Sequence, residues 1–329
     1  MKTFSEQPAR AALQRYCLNG ETMGTRYTAI FYAPEGMDDT AIGASLLAAV
    51  DEVDRQMSNW LPASDLCRLN AAPENSWMTV PPELAHVLET GLEVGLQSNG
   101  AFDMGVGALV EAWGFGPSKR SLSARPAAPN EQPVRQGAAM LEVDRARQRV
   151  QKQGPVTLNL SGIAKGYGVD QLAHCLDRWK ISSYLVGIDG EMRARGVKPG
   201  GEAWAVAIEQ PTFGKREVAG VMALQDAAIA TSGDYRHWVE IDGKRYAHTM
   251  DPRSGQPLSN CLAAVTVLMP TCMLADAWAT ALLVLGEKDG VALARKKGID
   301  ALFVMREGSR LREVLVPGRL LSDASASIT

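Results

Sequence analysis

The segment Ala263–Gly286, AAVTVLMPTCMLADAWATALLVLG, sets the tightest limit on what this chain can fold into. Its opening run suits a strand, Pro270-Thr271 suits a helix start, and the helix that follows is almost wholly apolar. A helix that is apolar on all sides has to be enclosed by other elements. The chain therefore needs a substantial core around Thr271–Leu285, and with 46% hydrophobic and 22% charged residues it has the composition for one. The same helix carries one carboxylate, Asp276, with Thr280 a turn further along the same face. An unpaired charge in such surroundings costs several kcal/mol, so Asp276 needs a partner. A hard cation would serve. The carboxylate, the Thr280 hydroxyl, a backbone carbonyl and phosphate oxygens make the sparse oxygen shell that Mg²⁺ accepts when substrate completes it. An arginine beside Asp276, with Thr280 bonded back to its own helix, satisfies the same residues.

The remaining pattern predicts an α+β fold, mainly antiparallel sheets with packed helices. Helical spacing is expected over Ile42–Met57, Pro81–Gln97, Ile163–Trp179, Thr271–Leu285 and Asp289–Lys297. Strands are expected at Thr25–Tyr32, Met140–Val143, Val150–Gln151, Val156–Leu160, Tyr184–Ile188, Met192–Val197, Trp204–Glu209, Gly220–Leu224, Ala228–Thr231, Trp238–Ile241 and Ala263–Leu268. Turns such as Asp242-Gly243 between short strands favour antiparallel ladders. Ser58–Asn70 reads as an exposed loop, and Pro117–Gly137, rich in Pro, Ser and Arg, as an irregular surface connection.

Several function classes lose support. There is no G-x-x-x-x-G-K-[ST] phosphate loop, no H-E-x-x-H and no G-x-S-x-G. Gly105-Val-Gly107 is an incomplete dinucleotide fingerprint, and Ser161 and Lys165 are four apart rather than the three of S-x-x-K. A net charge of −3 without a basic tract gives no reason to expect nucleic acid. No apolar run is long enough for a membrane span, and the N-terminal stretch holds no export-type apolar region, so a cytoplasmic location is expected. The five cysteines are widely spaced, with no C-x-x-C, and read as free thiols.

Two further segments carry candidate chemistry. In Val156–Ala173, VTLNLSGIAKGYGVDQLA, a strand-like run passes through Ser161-Gly162 into a helix, leaving early helix N–H groups free beside Lys165. That arrangement suits a phosphate, and equally suits an ordinary strand–turn–helix with a solvated lysine. Ala230–Pro257 holds two of the four histidines, His237 and His248, with Asp251 and Arg253. A histidine there has the chemistry of a neutral base near pH 7, or simply bonds within a turn.

Taken in order, the motifs of this chain resemble the ApbE family, the FAD:protein FMN transferases. They are Met23-Gly-Thr25, Met57-Ser-Asn-Trp60-x-Pro62, Ser64-Asp65-Leu66, Arg68-Leu-Asn70, Gly100-Ala-Phe-Asp103 and Trp113-Gly-Phe-Gly116. The series continues with Ser161-Gly-Ile-Ala-Lys-Gly-Tyr167, Val169-Asp170, Gly190-Glu191, Ala230-Thr-Ser-Gly-Asp-Tyr-Arg236, His248-x-x-Asp-Pro-Arg-x-Gly255, Pro270-Thr-Cys272, Ala275-Asp276 and Thr280. The resemblance implies an ApbE-like, T-fold-like architecture and Mg²⁺-dependent cleavage of the FAD pyrophosphate. FMN would pass to a Thr or Ser hydroxyl of an acceptor flavoprotein, releasing AMP. It also implies roles for residues. Gly162, Asp276 and Thr280 would hold Mg²⁺; Met23, Trp60, Ala101, Phe102, Asp103, Asn159, Lys165 and Met250 would line the FAD site; and His248, with Asp251, would activate the acceptor hydroxyl. Residues 21–320 would form the transferase domain, single or as two intertwined subdomains, with 1–20 an N-terminal extension and 321–329 a tail. Relative to the family pattern, Asn159 stands where Asp is frequent, Trp60 where Tyr is frequent and Asp189 where Gly is more usual. Two alternatives keep the same site: an FAD pyrophosphatase yielding FMN and AMP, and a flavin-binding or carrier protein without catalysis.

Overall fold

The computed structural model describes residues 13–117, 137–215, 217–308 and 310–321. It opens on a hairpin, β1 (Leu13–Thr22) and β2 (Thr25–Pro34), turned at Met23-Gly24 with both residues at positive φ. Then come α1 (Asp39–Met57), α2 (Asp65–Ala71), β3 (Trp77–Thr79), α3 (Pro82–Gln97), α4 (Gly107–Ala112), β4 (Leu141–Asp144), β5 (Arg149–Lys152) and α5 (Ala164–Arg178). The second half runs through β6 (Tyr184–Ile188), β7 (Glu191–Arg195), β8 (Trp204–Glu209), β9 (Val218–Leu224), β10 (Ala228–Gly233), β11 (Trp238–Ile241) and β12 (Lys244–Ala247). It ends with β13 (Met250–Asp251), β14 (Gln256–Pro257), β15 (Leu262–Met269), α6 (Cys272–Lys297), β16 (Asp300–Glu307) and β17 (Arg310–Val316).

An eight-stranded sheet of order β1-β2-β6-β7-β10-β15-β16-β17, antiparallel at every pairing, is the frame. Alternation along β2 shows how it is covered. Tyr27, Ala29, Phe31 and Ala33 are buried with residues of α1 and α5, whereas Ile30 and Tyr32 pack on the opposite face against Trp204 and its neighbours. The helices thus cover one face, and the β8–β9 pair covers part of the other. A second core joins α3 and α6 to β15 and β16. The fold is α+β, as the sequence predicts.

The apolar helix is enclosed as required, and its N-terminus is fixed from a distance. Asp170 of α5 accepts the Cys272 and Met273 N–H groups, each at 2.9 Å, while Arg193 of β7 donates to Asp170 at 2.6 Å. The two helices expected at the C-terminal end are present within α6, one on either side of a break in the helical backbone. Gly286, at φ 81°, sits at the break, where a left-handed conformation favours glycine.

Other expectations need correction. Val156–Leu160 is not a strand, because its backbone groups are taken elsewhere: Asn70 both donates to and accepts from Leu158, Asn59 donates to the Leu158 carbonyl, and the Asn159 N–H goes to Met104. Within the expected loop Ser58–Asn70, Ser64 caps α2 by accepting the Cys67 N–H. The expected strands do not include β1, β3, β12, β13, β14, β16 or β17, and β1 runs through the residue-20 boundary. The expected connection Pro117–Gly137 lies almost wholly outside the described residues. Among the described residues no helix is long and apolar enough to cross a membrane.

Candidate functional site

Three elements converge where α5 begins. The turn before α5 carries Ser161 and Gly162; Asn159 holds it by accepting the Ser161 N–H at 2.9 Å. An aspartate would accept the same bond, so Asn159 preserves the turn and removes only a charge. α5 then passes so close to α6 that a Cβ on Gly166 would stand 2.3 Å from the Cys272 carbonyl oxygen and 2.8 Å from the Asp276 Cβ. Only glycine permits this approach, and it lets the Gly166 N–H donate to Asp276 Oδ2 at 3.0 Å. One turn on, Thr280 Oγ1 lies 3.1 Å from where a Gly162 Cβ would be and 3.1 Å from Ser232 Oγ. Gly162 and the Asp276–Thr280 face of α6, more than a hundred positions apart in the chain, are thereby brought together.

The Asp276 carboxylate makes no hydrogen bond besides that from Gly166 among the described residues. Burial, then the nearby Glu191 charge, push its pKa above the ordinary carboxylate range, against Lys165 and the Gly166 N–H. A buried carboxylate held so far from its ordinary value is one a cation would relieve. Among the described residues no cluster of three or more His, Cys, Asp or Glu forms a cage. One carboxylate, one hydroxyl and a turn carbonyl fit Mg²⁺, which keeps waters and takes phosphate oxygens, better than they fit zinc.

Beside this point lies a cavity of about 1040 Å³, its walls including Met23, Trp60, Ser161, Lys165, Arg236 and His237. That is about the upper end of the range for small-molecule sites. Trp60 of its wall is 54% exposed, and an indole is a ring on which a flat ligand can stack. Lys165 donates to the buried Glu191 at 2.8 Å and lies 3.7 Å from Asp189. Burial alone would lower its pKa, but Glu191, Asp276 and Asp189 outweigh it, so the ammonium stays charged. Asp189, at φ 54°, also pairs with Arg236 at 3.0 Å, and Arg236 bonds to Glu209. Glu191, Asp189, Arg236 and Glu209 make a web not foreseen as site residues; the Gly190-Glu191 and Tyr235-Arg236 motifs were its readable trace.

His248 stands behind His237. Its backbone N–H and its Nδ1 both reach the His237 carbonyl, at 3.1 and 3.2 Å, and the rings meet edge to face with centroids 5.4 Å apart. A carbonyl only accepts, so Nδ1 carries the proton and Nε2 is the basic nitrogen. Burial, with His237 and Lys165 nearby, lowers the His248 pKa to about 4, so the imidazole is neutral near pH 7.

The other expected residues lie apart. Asp251 is bonded to Arg253 through both carboxylate oxygens, at 2.9 and 3.0 Å, and makes no hydrogen bond to His248. Asp103 accepts the Gly105 and Gly137 N–H groups and braces those loops. Ala101 and Phe102 are buried, the Phe102 ring backing Gly162, and Met250 packs with Trp113 and Ile241. None of Ala101, Phe102, Asp103, Asn159 and Met250 lines the cavity.

With this geometry in place, comparison with known proteins is informative. The model of the ApbE family matches residues 23–303. The FAD:protein FMN transferase of Haemophilus influenzae is 36% identical over 310 residues, covering 88% of this chain and 86% of that protein. That of Klebsiella pneumoniae is 34% identical over 318 residues, covering 94% and 90%. Among solved structures, the apo flavinyl transferase ApbE of Pseudomonas stutzeri superposes with a TM-score of 0.81 at 35% identity, covering 92% of this chain and 95% of that one. The flavin transferase ApbE of Vibrio cholerae gives 0.81 at 33% identity, with 95% and 99% covered. A family match over residues 23–303, with relatives up to 36% identical along most of its length, makes this chain a member of the ApbE family.

Proposed function

We propose that the protein is an enzyme that transfers FMN from FAD to a hydroxyl of an acceptor protein, releasing AMP. The observation that carries this reading is a dinucleotide-sized cavity walled by Ser161 and Lys165, on the same turn and helix start against which the Asp276 carboxylate and the Thr280 hydroxyl of α6 are packed. Asp276, Thr280 and the Gly162 carbonyl would hold Mg²⁺, which when bound neutralises charge on the pyrophosphate. Lys165, fixed by Glu191, adds a cation at the same place, and the start of α5 presents its positive end. Trp60 and Met23 would flank the isoalloxazine and hold it against displacement. His248 Nε2 would take the hydroxyl proton as the oxygen attacks the FMN phosphorus. One P–O bond forms, the P–O bond to AMP breaks, and its electron pair leaves with the AMP phosphate. Arg253 neutralises Asp251, so His248 acts without a carboxylate partner and is oriented instead by the His237 carbonyl.

The test is incubation with FAD, Mg²⁺ and a threonine-bearing acceptor, followed by mass spectrometry. An FMN adduct on the acceptor is expected. Free FMN and AMP without acceptor would identify a pyrophosphatase, and FAD binding without Mg²⁺-dependent turnover would identify a carrier.

A further inference from the structure

A groove of about 600 Å³ adjoins the cavity, lined among others by Phe213, Trp238, Lys244, Tyr246, Arg253 and Asn260. The two spaces share a partition. Thr212 and Gly214 face the cavity while Phe213 between them faces the groove. Likewise Tyr235, Arg236 and His237 face the cavity, and Asp234 and Trp238 on either side face the groove. Ala247 lines the groove and His248, the next residue, is bonded to His237. The candidate base thus follows a residue of the groove and is bonded to a residue of the cavity, while lining neither space itself.

The chemistry of the groove is that of a polypeptide-binding surface. The Arg245 guanidinium lies 4.4 Å from the Trp238 ring and 4.9 Å from the Phe213 ring, with Arg306 on Phe213 at 4.6 Å. Its carboxylates are neutralised: Asp251 by Arg253 and Asp234 by Arg306, at 2.7 Å. Of its three cations, Arg253 is taken up by Asp251, and the other two are held more loosely. Lys244 lies over Tyr246 at 5.3 Å and forms no ion pair among the described residues, and Arg245 reaches only Glu240, at 3.8 Å. On a chain of net charge −3, this groove keeps a positive surplus. β11 and β12 pair only with each other, so each has an outer edge without a strand partner among the described residues. The floor touches α6. Arg253 donates to the Val284 carbonyl at 3.1 Å and Asn260 to the Leu283 carbonyl at 2.8 Å, at the bend near Gly286.

Resting on the flavin-transfer reading, we propose that this groove seats the acceptor polypeptide as an extended segment whose accepting hydroxyl is flanked by acidic side chains. Lys244 and Arg245 attract the flanks, Trp238 and Tyr246 grip the backbone, and the hydroxyl meets His248 at the partition.

Two labelled synthetic peptides test this, each with a central threonine, one flanked by aspartates and one by lysines. They are titrated by fluorescence anisotropy against the full chain with FAD and Mg²⁺. The aspartate peptide is expected to bind at least about tenfold tighter, and Lys244→Glu with Arg245→Glu to reverse the order. Trp238→Ala is expected to weaken both, with FAD affinity unchanged in every variant as the check on folding. Equal binding of the two peptides, or an order indifferent to charge reversal, overturns the proposal. Mass spectrometry separates it from the reading beneath. FMN on the peptide irrespective of the groove variants sinks the groove and spares the transferase. Charge-dependent binding with no FMN ever transferred sinks the transferase and leaves a peptide groove.

Discussion

At the scale of single residues, the site depends on groups whose protonation the fold has moved. The unfolded chain holds a proton on His248 below its ordinary pKa of 6.5, whereas the folded chain takes it up only near 4. Between those values the unfolded state binds more protons, so stability falls as pH drops from 6.5 toward 4. His248→Gln should flatten that part of the urea-midpoint profile, and at pH 7.5 it should abolish FMN transfer while FAD binding is kept. Wild-type transfer should fall little between about pH 7.5 and 6 on account of His248, since the base stays unprotonated there. For Asp276→Asn, the amide still accepts the Gly166 N–H, and a poorly compensated buried charge disappears. The melting temperature should hold or rise, its Mg²⁺-induced increment should vanish, and Mg²⁺-dependent activity should fall at least about a hundredfold. A variant with full activity would remove Asp276 from the metal site.

At the scale of elements, the α5–α6 contact is the critical joint. Gly166→Ala would force a methyl against the Cys272 carbonyl and Asp276, both on α6, with no flexible side chain to yield. A loss of about 1–3 kcal/mol is expected in urea titrations, together with weakened FAD and Mg²⁺ binding as the helices separate. Which elements were legible follows from how each is buried. α1 and α3 announce themselves because each buries one stripe, and β6 and β8 because they alternate. β1 buries only Tyr16, Cys17's neighbour, and Thr22 among its ten residues, so an edge strand left little apolar signal. α2 was masked by Pro62 and the turn formers before it, although Ser64 held the capping signal. β16, with its apolar run Ala301–Met305, was readable and was not anticipated. The candidate metal ligands could be named from motifs, but their meeting depends on Gly166. Asp251 was drawn to His248 by proximity in sequence and claimed in the fold by Arg253, two residues away.

At the scale of the whole molecule, the two large cores meet through α5 and α6, which pack on each other and contribute to both. Far-ultraviolet circular dichroism and tryptophan fluorescence should therefore report coincident unfolding curves, and separated transitions would show that the halves fold independently. FAD with Mg²⁺ should raise that single midpoint in proportion to the logarithm of ligand concentration. The partition between cavity and groove has a consequence for how such a protein diversifies. Neighbouring residues of one short segment look into opposite chambers, so a substitution there can alter one chamber and leave the other as it was. An inserted residue between Tyr235 and Trp238 would shift Trp238 out of register with the chamber it lines, and a lineage could change partners by substitution there more readily than by altering length.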